Sequence, residues 1–260
     1  MKYLSVILFL LSSFSIFSQN NLYEIEYVYV ANNDETVQSF DKLYYDSLKK
    51  KAFYKQGNTK VIANFYQPKN EYEIVIPSDG KNTDFIYVDF NKNILYNQIS
   101  PLHNTYITTE PIPIINWKIT EETKSINEIE LTKATTTFRG RNYEVWFSYE
   151  HPISIGPWKF NGLPGLIFEV IELAETNNYS WKLKSLKTKK GILPFNNPLD
   201  RNLIDIKNFI NKYQEDFIDD ENILLSKMEL NFPNRKKEEI IKDFEKFRLK
   251  DIEKKYEWEE

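Results

Sequence analysis

Two histidines, five arginines and no cysteine are the whole stock of imidazole, guanidinium and thiol chemistry in this 260-residue chain. His103 stands in SPLHNTY and His151 in YEHPIS, both among turn formers. A catalytic zinc centre takes three protein ligands, usually several nitrogens or a histidine–carboxylate set. Neither histidine has such company nearby, so both read as ordinary hydrogen-bonded or solvent-facing side chains. The lack of cysteine excludes disulfides, thiolate metal sites and thiol catalysis together. A Ser-His-Asp triad is recognised by geometry, and nothing in the sequence nominates one; no cofactor or metal is expected. Asp216, Asp219, Asp220 and Glu221 have the charge of a calcium loop without its residue order, and helix capping accounts for them. Glu24 and Glu26 share one face of a strand and read as a solvated face. Arg139-Gly140-Arg141 gathers two of the five arginines at what reads as a hairpin tip. Two readings of it stay open: a soluble turn, or a clamp for an anion or carboxylate, which arginine grips with two parallel hydrogen bonds.

The stretch GPWKFNGLPGLIFEV, residues 156–170, holds three of the chain's seven glycines. Leu163-Pro164-Gly165-Leu166 fits a type II turn, with proline fixing φ at the second position and Gly165 supplying a positive φ at the third. Nothing in that assignment asks a positive φ of Gly162. Gly156-Pro157 makes another turn, with Trp158 and Phe160 able to bury between the two, and Leu166-Ile167 begin a strand. A phosphate loop would need a lysine and a following helix, and a nucleophile elbow would need serine where Pro164 stands. The segment is read as a structural turn or a ligand-contacting loop.

The elements that hold these residues are mostly strands. Leu22–Val30 alternates two glutamates with Tyr23, Ile25, Tyr27 and Tyr29, the period of a half-buried strand. Similar runs follow at 40–45, 52–55, 72–76, 85–90, 94–99, 114–119, 130–138, 143–149, 166–173 and 179–186. Spacing this close demands antiparallel pairing. From residue 199 the period becomes helical: Leu203, Ile206, Phe209 and Ile210 first, then Ile240, Ile241, Phe244, Phe247 and Ile252 after Pro233-Asn234. The expected fold is α+β, a curved antiparallel meander with the form of a half-barrel and helices packed on it, strands over 22–190 and helices over 199–257. Residues 1–18 (Lys2, an apolar run, then Ser18 before Gln19) read as a secretory signal peptide, leaving one domain over 19–260. The formal charge of −4, one unit more negative once Lys2 leaves, offers no basic field to nucleic acid.

With these residues in view, the segment from Trp117 to Val170 resembles the GLPGLI family of exported Bacteroidota proteins, whose hexapeptide stands here as Gly162 to Ile167. Trp117-Lys118, Lys133-Ala134-Thr135, Arg139-Gly140-Arg141, Trp146 and Gly156-Pro157-Trp158 carry the match. The chain departs from the family's Gly-Tyr-x-Cys step, with Glu128-Ile129-Glu130-Leu131 in its place, so no cysteine role carries over. The resemblance implies export and a β-rich fold and brings no reaction with it. A looser likeness, at the level of fold, is to periplasmic lipoprotein carriers of the LolA type. The expectation is an exported, non-catalytic binding or interaction module in the periplasm, with the extracellular space as the alternative. Its partner is either a hydrophobic small molecule or an outer-membrane or envelope protein; an unrecognised hydrolase is the remaining alternative. Apolar surface on the strands and on the last helix leaves two readings open: a solid core closed by these residues, or a cavity between them lined by Ile240, Phe244 and Phe247, with the GLPG loop near its mouth.

Overall fold

The computed structural model describes residues 21–32, 36–63, 72–76, 84–99, 105–174, 178–195, 203–213, 215 and 252–259. Their strands are β1 (Leu22–Asn32), β2 (Thr36–Asp46), β3 (Lys51–Lys55), β4 (Thr59–Ala63), β5 (Tyr72–Ile76), β6 (Phe85–Asp89) and β7 (Ile94–Ile99). Seven more follow: β8 (Tyr106–Glu110), β9 (Lys118–Ile126), β10 (Ile129–Phe138), β11 (Arg141–Ser148), β12 (Leu166–Glu172), β13 (Asn178–Lys189) and β14 (Leu203–Asp205). A short helix, α1, covers 206–213, and Asp205 Oδ1 caps it by accepting the Lys207 N–H at 2.9 Å.

All fourteen strands belong to one open sheet in the order β14-β8-β7-β6-β3-β2-β1-β13-β12-β11-β10-β9, with the β4–β5 hairpin branching from β2. Two runs of hairpins meet at the centre, where β1 pairs with β2 on one side and with β13 on the other. The class is therefore mainly β, with α1 the one helix longer than a single residue among the described residues.

Alternation along the strands gives the sheet two apolar faces. The inner face carries the main core: Ile25, Tyr27, Leu43, Tyr54 and Ile86 from one half, and Tyr143, Phe147, Ile167, Val170 and Trp181 from the other. Its burial is the dominant stabilising term, about 25 cal/mol per Å² of apolar surface removed from water. On the outer face, Tyr44, Phe53, Tyr87 and Tyr96 form a row, and Phe195 from the chain after β13 stacks on Tyr87 at 4.5 Å. Glu24 and Glu26 share one face as expected, the outer one, where they are half-buried and paired with Lys42, Lys184 and Lys189.

The structure corrects several expectations. Residues 114–117 are not a strand, and pairing begins only at Lys118. The helix expected from residue 199 begins at 206, because Leu203–Asp205 forms a strand. That strand pairs with β8 in parallel, the one exception among the described pairs to the antiparallel rule. Segment 252–259, expected to continue the last helix, is irregular. His103, Asp216, Asp219, Asp220, Glu221, Ile240, Ile241, Phe244 and Phe247 lie outside the described residues.

Candidate functional site

The GPWKFNGLPGLI segment crosses from β11 to β12 and is the hub of the site. The Phe160 N–H donates to the Pro157 carbonyl at 3.1 Å, closing the turn that was expected there. Leu163, Leu166, Ile167 and Phe160 are buried. The roles of the two glycines are the reverse of the sequence expectation. Gly162 adopts φ 91°, whereas Gly165 has no positive φ, so the type II turn is not formed. A β-carbon on Gly165 would lie 2.0 Å from the Ser148 carbonyl oxygen, so glycine is needed there for close backbone approach. Gly162 has more room, with Trp117 Nε1 3.5 Å from the same construction, and Trp117 itself donates to the Asn161 carbonyl at 2.8 Å.

From this hub two consecutive side chains part company. Trp158, held at φ 52°, lines a cavity of about 360 Å³. Lys159, fully buried, enters an ion cluster. A bulky residue in the left-handed region carries about 1–3 kcal/mol of strain, and such strain concentrates at ligand clamps and active sites.

The cavity lies on the inner face. Its walls are Tyr29, Asp41, Tyr54, Ile86, Asn97 and Trp181 from the sheet; Gln56 and Asp84 from loops; Phe209, Ile210 and Tyr213 from α1; and Ile252, Glu253 and Tyr256 from the C-terminal segment. Asp41 is buried. Its Oδ1 accepts from Ser39 Oγ at 2.6 Å and from the Gly57 N–H at 3.1 Å, and its Oδ2 accepts from the Tyr54 hydroxyl. The Trp181 indole N–H in turn donates to that hydroxyl at 3.1 Å. Burial outweighs these hydrogen bonds and raises the Asp41 carboxyl above its ordinary range; burial, with Asp41 beside it, also raises the Tyr54 phenol.

The ion cluster ties segment 252–259 to the sheet. Lys159 Nζ donates to Glu110 Oε1 at 2.6 Å and to both Glu253 oxygens at 2.8 and 3.0 Å. Arg139 pairs with Glu110, with Glu253 at 3.2 Å and with Glu257 at 3.1 Å, and its guanidinium lies 4.6 Å from the Tyr256 ring. Arg141 pairs with Glu172 and donates to the Ile252 carbonyl at 3.1 Å. The Lys254 N–H closes the attachment on the Arg139 carbonyl at 3.0 Å. Burial opposes charge on both Lys159 and Glu110. The neighbouring carboxylates nevertheless hold Lys159 above its ordinary pKa, and Lys159 with Arg139 hold Glu110 below its own.

Arg139 and Arg141 therefore do stand at a hairpin tip, Arg139 at φ 52° and Gly140 at φ 76°, the two-residue loop whose twist suits paired strands. Both are buried, and the carboxylates they grip belong to this chain. Glu110, Glu253 and Asp41 had no local signature by which the sequence could nominate them. His151 stacks on Phe168 at 5.9 Å, away from both features. Among the described residues no group of three or more histidine, aspartate or glutamate side chains is placed to hold a metal ion, and no helix is long and apolar enough to cross a membrane.

No family model matches the chain, and no curated protein sequence does. Among solved structures it is similar to PNGF-II in two crystal forms. The C2 form is 15% identical over 71% of this chain and 30% of that one, with a TM-score of 0.42. The P21 form is 16% identical over 74% and 32%, with a TM-score of 0.43. The chain thus spans about a third of PNGF-II. It is also similar to an uncharacterized conserved protein from Thermus thermophilus, at 10% identity over 72% of this chain and 91% of that one, with a TM-score of 0.35.

Proposed function

We propose that the protein is an exported, periplasmic binding protein of the GLPGLI type that holds a small molecule in the inner-face cavity and performs no reaction on it. The observation that carries this reading is Trp158: a strained backbone turns a large aromatic side chain toward a cavity of about 360 Å³, within the range of natural ligand pockets. The sequence offered a hydrophobic small molecule as one of two partners; the proposed ligand is amphipathic, because Asp41, Asp84, Gln56 and Asn97 share the walls with the aromatic rings. Binding is favoured over catalysis because two of the lining carboxylates are held by this chain: Asp41 by Ser39, Tyr54 and Gly57, and Glu253 by Lys159 and Arg139.

Native mass spectrometry of the protein purified from its own periplasm tests the reading. A bound small molecule is expected, with its affinity reduced at least about tenfold in Trp158→Ala, the equivalent of roughly 1.4 kcal/mol. Protein that is uniformly empty, and whose tryptophan fluorescence no periplasmic extract changes, overturns it. Recovery instead in a stable complex with an envelope protein, with the cavity empty, favours the interaction module.

A further inference from the structure

We infer that the cavity selects a cationic ligand, an ammonium or guanidinium group seated beside Asp41 among the rings of Tyr29, Tyr54, Trp158 and Trp181. The inference deepens the proposed function and rests on it. Its starting point is a charge without a counter-charge. Glu110, Glu172 and Glu253 are buried and each faces a lysine or arginine. Asp41 is equally buried, yet the hydrogen bonds it accepts come from a hydroxyl, a phenol and a backbone N–H, all neutral. No lysine, arginine or histidine is among the described residues that line the cavity, whereas the carboxylates of Asp41 and Glu253 are. Glu253 is neutralised by Lys159 and Arg139, which leaves Asp41, on the sheet side, as the carboxylate whose described partners are all neutral.

The acceptor count points the same way. A carboxylate has about four lone-pair sites, and three of those on Asp41 are taken, two on Oδ1 and one on Oδ2. One site on Oδ2 remains for a donor. The rings supply the rest of a cation's surroundings. Trp181 lies parallel to Trp158 at 6.1 Å and 5.1 Å from Tyr29. Aromatic faces attract a cation through their negative quadrupole, and the attraction grows once the cation is desolvated. An anion would meet the Asp41 carboxylate with no cation among the described wall residues to offset it. A neutral molecule would leave the Asp41 charge uncompensated. The raised carboxyl of Asp41 is consistent with this, since burial there is opposed by hydrogen bonds alone.

Three probes of matched shape and different charge decide the matter: choline, its neutral carbon isostere dimethylbutanol, and the anion dimethylbutanoate. Each is titrated into the full mature chain, read by tryptophan fluorescence and by ligand-observed NMR. Choline is expected to bind about tenfold more tightly than dimethylbutanol, the size of a desolvated cation–π and carboxylate contact, and dimethylbutanoate is expected not to bind. Asp41→Asn is expected to abolish the preference and leave dimethylbutanol binding in place. If that variant does not fold, the wild-type ratio decides alone. Dimethylbutanol or dimethylbutanoate binding as tightly as choline overturns the inference while the cavity reading stands. Failure of all three probes, with a native molecule still recovered in the cavity, also overturns only the inference. Failure of all three with an empty native protein overturns both.

Discussion

Lys159→Met tests whether the ion cluster holds the C-terminal segment. In the wild type the ammonium donates to three carboxylate oxygens at 2.6, 2.8 and 3.0 Å. The buried part of the cluster is balanced, Glu110 and Glu253 against Arg139 and Lys159. Methionine preserves the length and apolar stem of lysine but leaves two carboxylates facing one guanidinium. A buried charge stripped of its partner costs about 3–5 kcal/mol, a large part of a total stability on the order of 5–15 kcal/mol. With a urea slope of about 2–3 kcal/mol/M, the midpoint is expected to fall by roughly 1–2 M. Adding Glu110→Leu restores neutrality, with Arg139 facing Glu253, and the double variant is expected within about 1–2 kcal/mol of wild type, since apolar replacement of a buried pair is often near neutral. Equilibrium urea unfolding followed by fluorescence measures all four proteins of the cycle. A single-variant shift below about 0.3 M, or a double variant that loses the sum of the two singles, refutes the reasoning.

Gly165→Ala is expected to lose about 1–3 kcal/mol or more, because its β-carbon collides with the β11 backbone; Gly162→Ala should lose about 1–2 kcal/mol from its positive φ alone. Unchanged denaturation midpoints would show both accounts to be mistaken. Tyr27→Phe removes the donor to the Ile167 carbonyl at 2.6 Å and should cost about 1–3 kcal/mol. Tyr143→Phe should be neutral or stabilising, since its buried hydroxyl has no hydrogen-bond partner among the described residues; calorimetry that ranks the two variants in the opposite order contradicts this. For Asp41, a carboxyl raised in the folded state contributes stability that is present below its unfolded pKa of about 3.9 and is lost as pH rises through the folded value. The stability of wild type relative to Asp41→Asn should therefore be greatest at acid pH and shrink toward neutrality, and a flat difference in unfolding free energy across that range would remove desolvation as the cause.

How much of this was legible depended on whether the cause was local. β5 and β7 lie where the alternation and their flanking turns placed them, because a hairpin strand writes its period and its stops into adjacent residues. β8 was missed: Tyr106–Glu110 puts a threonine on each face and a glutamate on one, and Glu110 is buried only because Lys159 and Arg139 reach it. The Arg139–Arg141 tip showed its turn but not its cover, since the segment that buries it arrives more than a hundred residues later. At Gly165 the need for glycine was visible and its reason was not. A positive φ is a property of one residue, whereas the approach of Ser148 belongs to the register of β11 against β12. Asp41 left no trace at all, because in sequence a strand aspartate looks the same whether it faces water or a cavity.

The place of β1 at the centre of the sheet sets the timing of folding. It is the first described strand to be made, and one edge finds its partner at once in β2. Its other edge waits for β13, with Leu22 opposite Lys189. Loop-closure entropy grows only slowly with length, about 0.6 kcal/mol per doubling, so the distance is not prohibitive, but contacts of this range make folding slow. Until β13 has been synthesised, β1 keeps a row of unpaired backbone groups beside Tyr27 and Ile25, the kind of edge that joins with other chains. A chain built this way gains by being kept unfolded until complete and by folding in one place, a demand that falls on whatever escorts it as it is made.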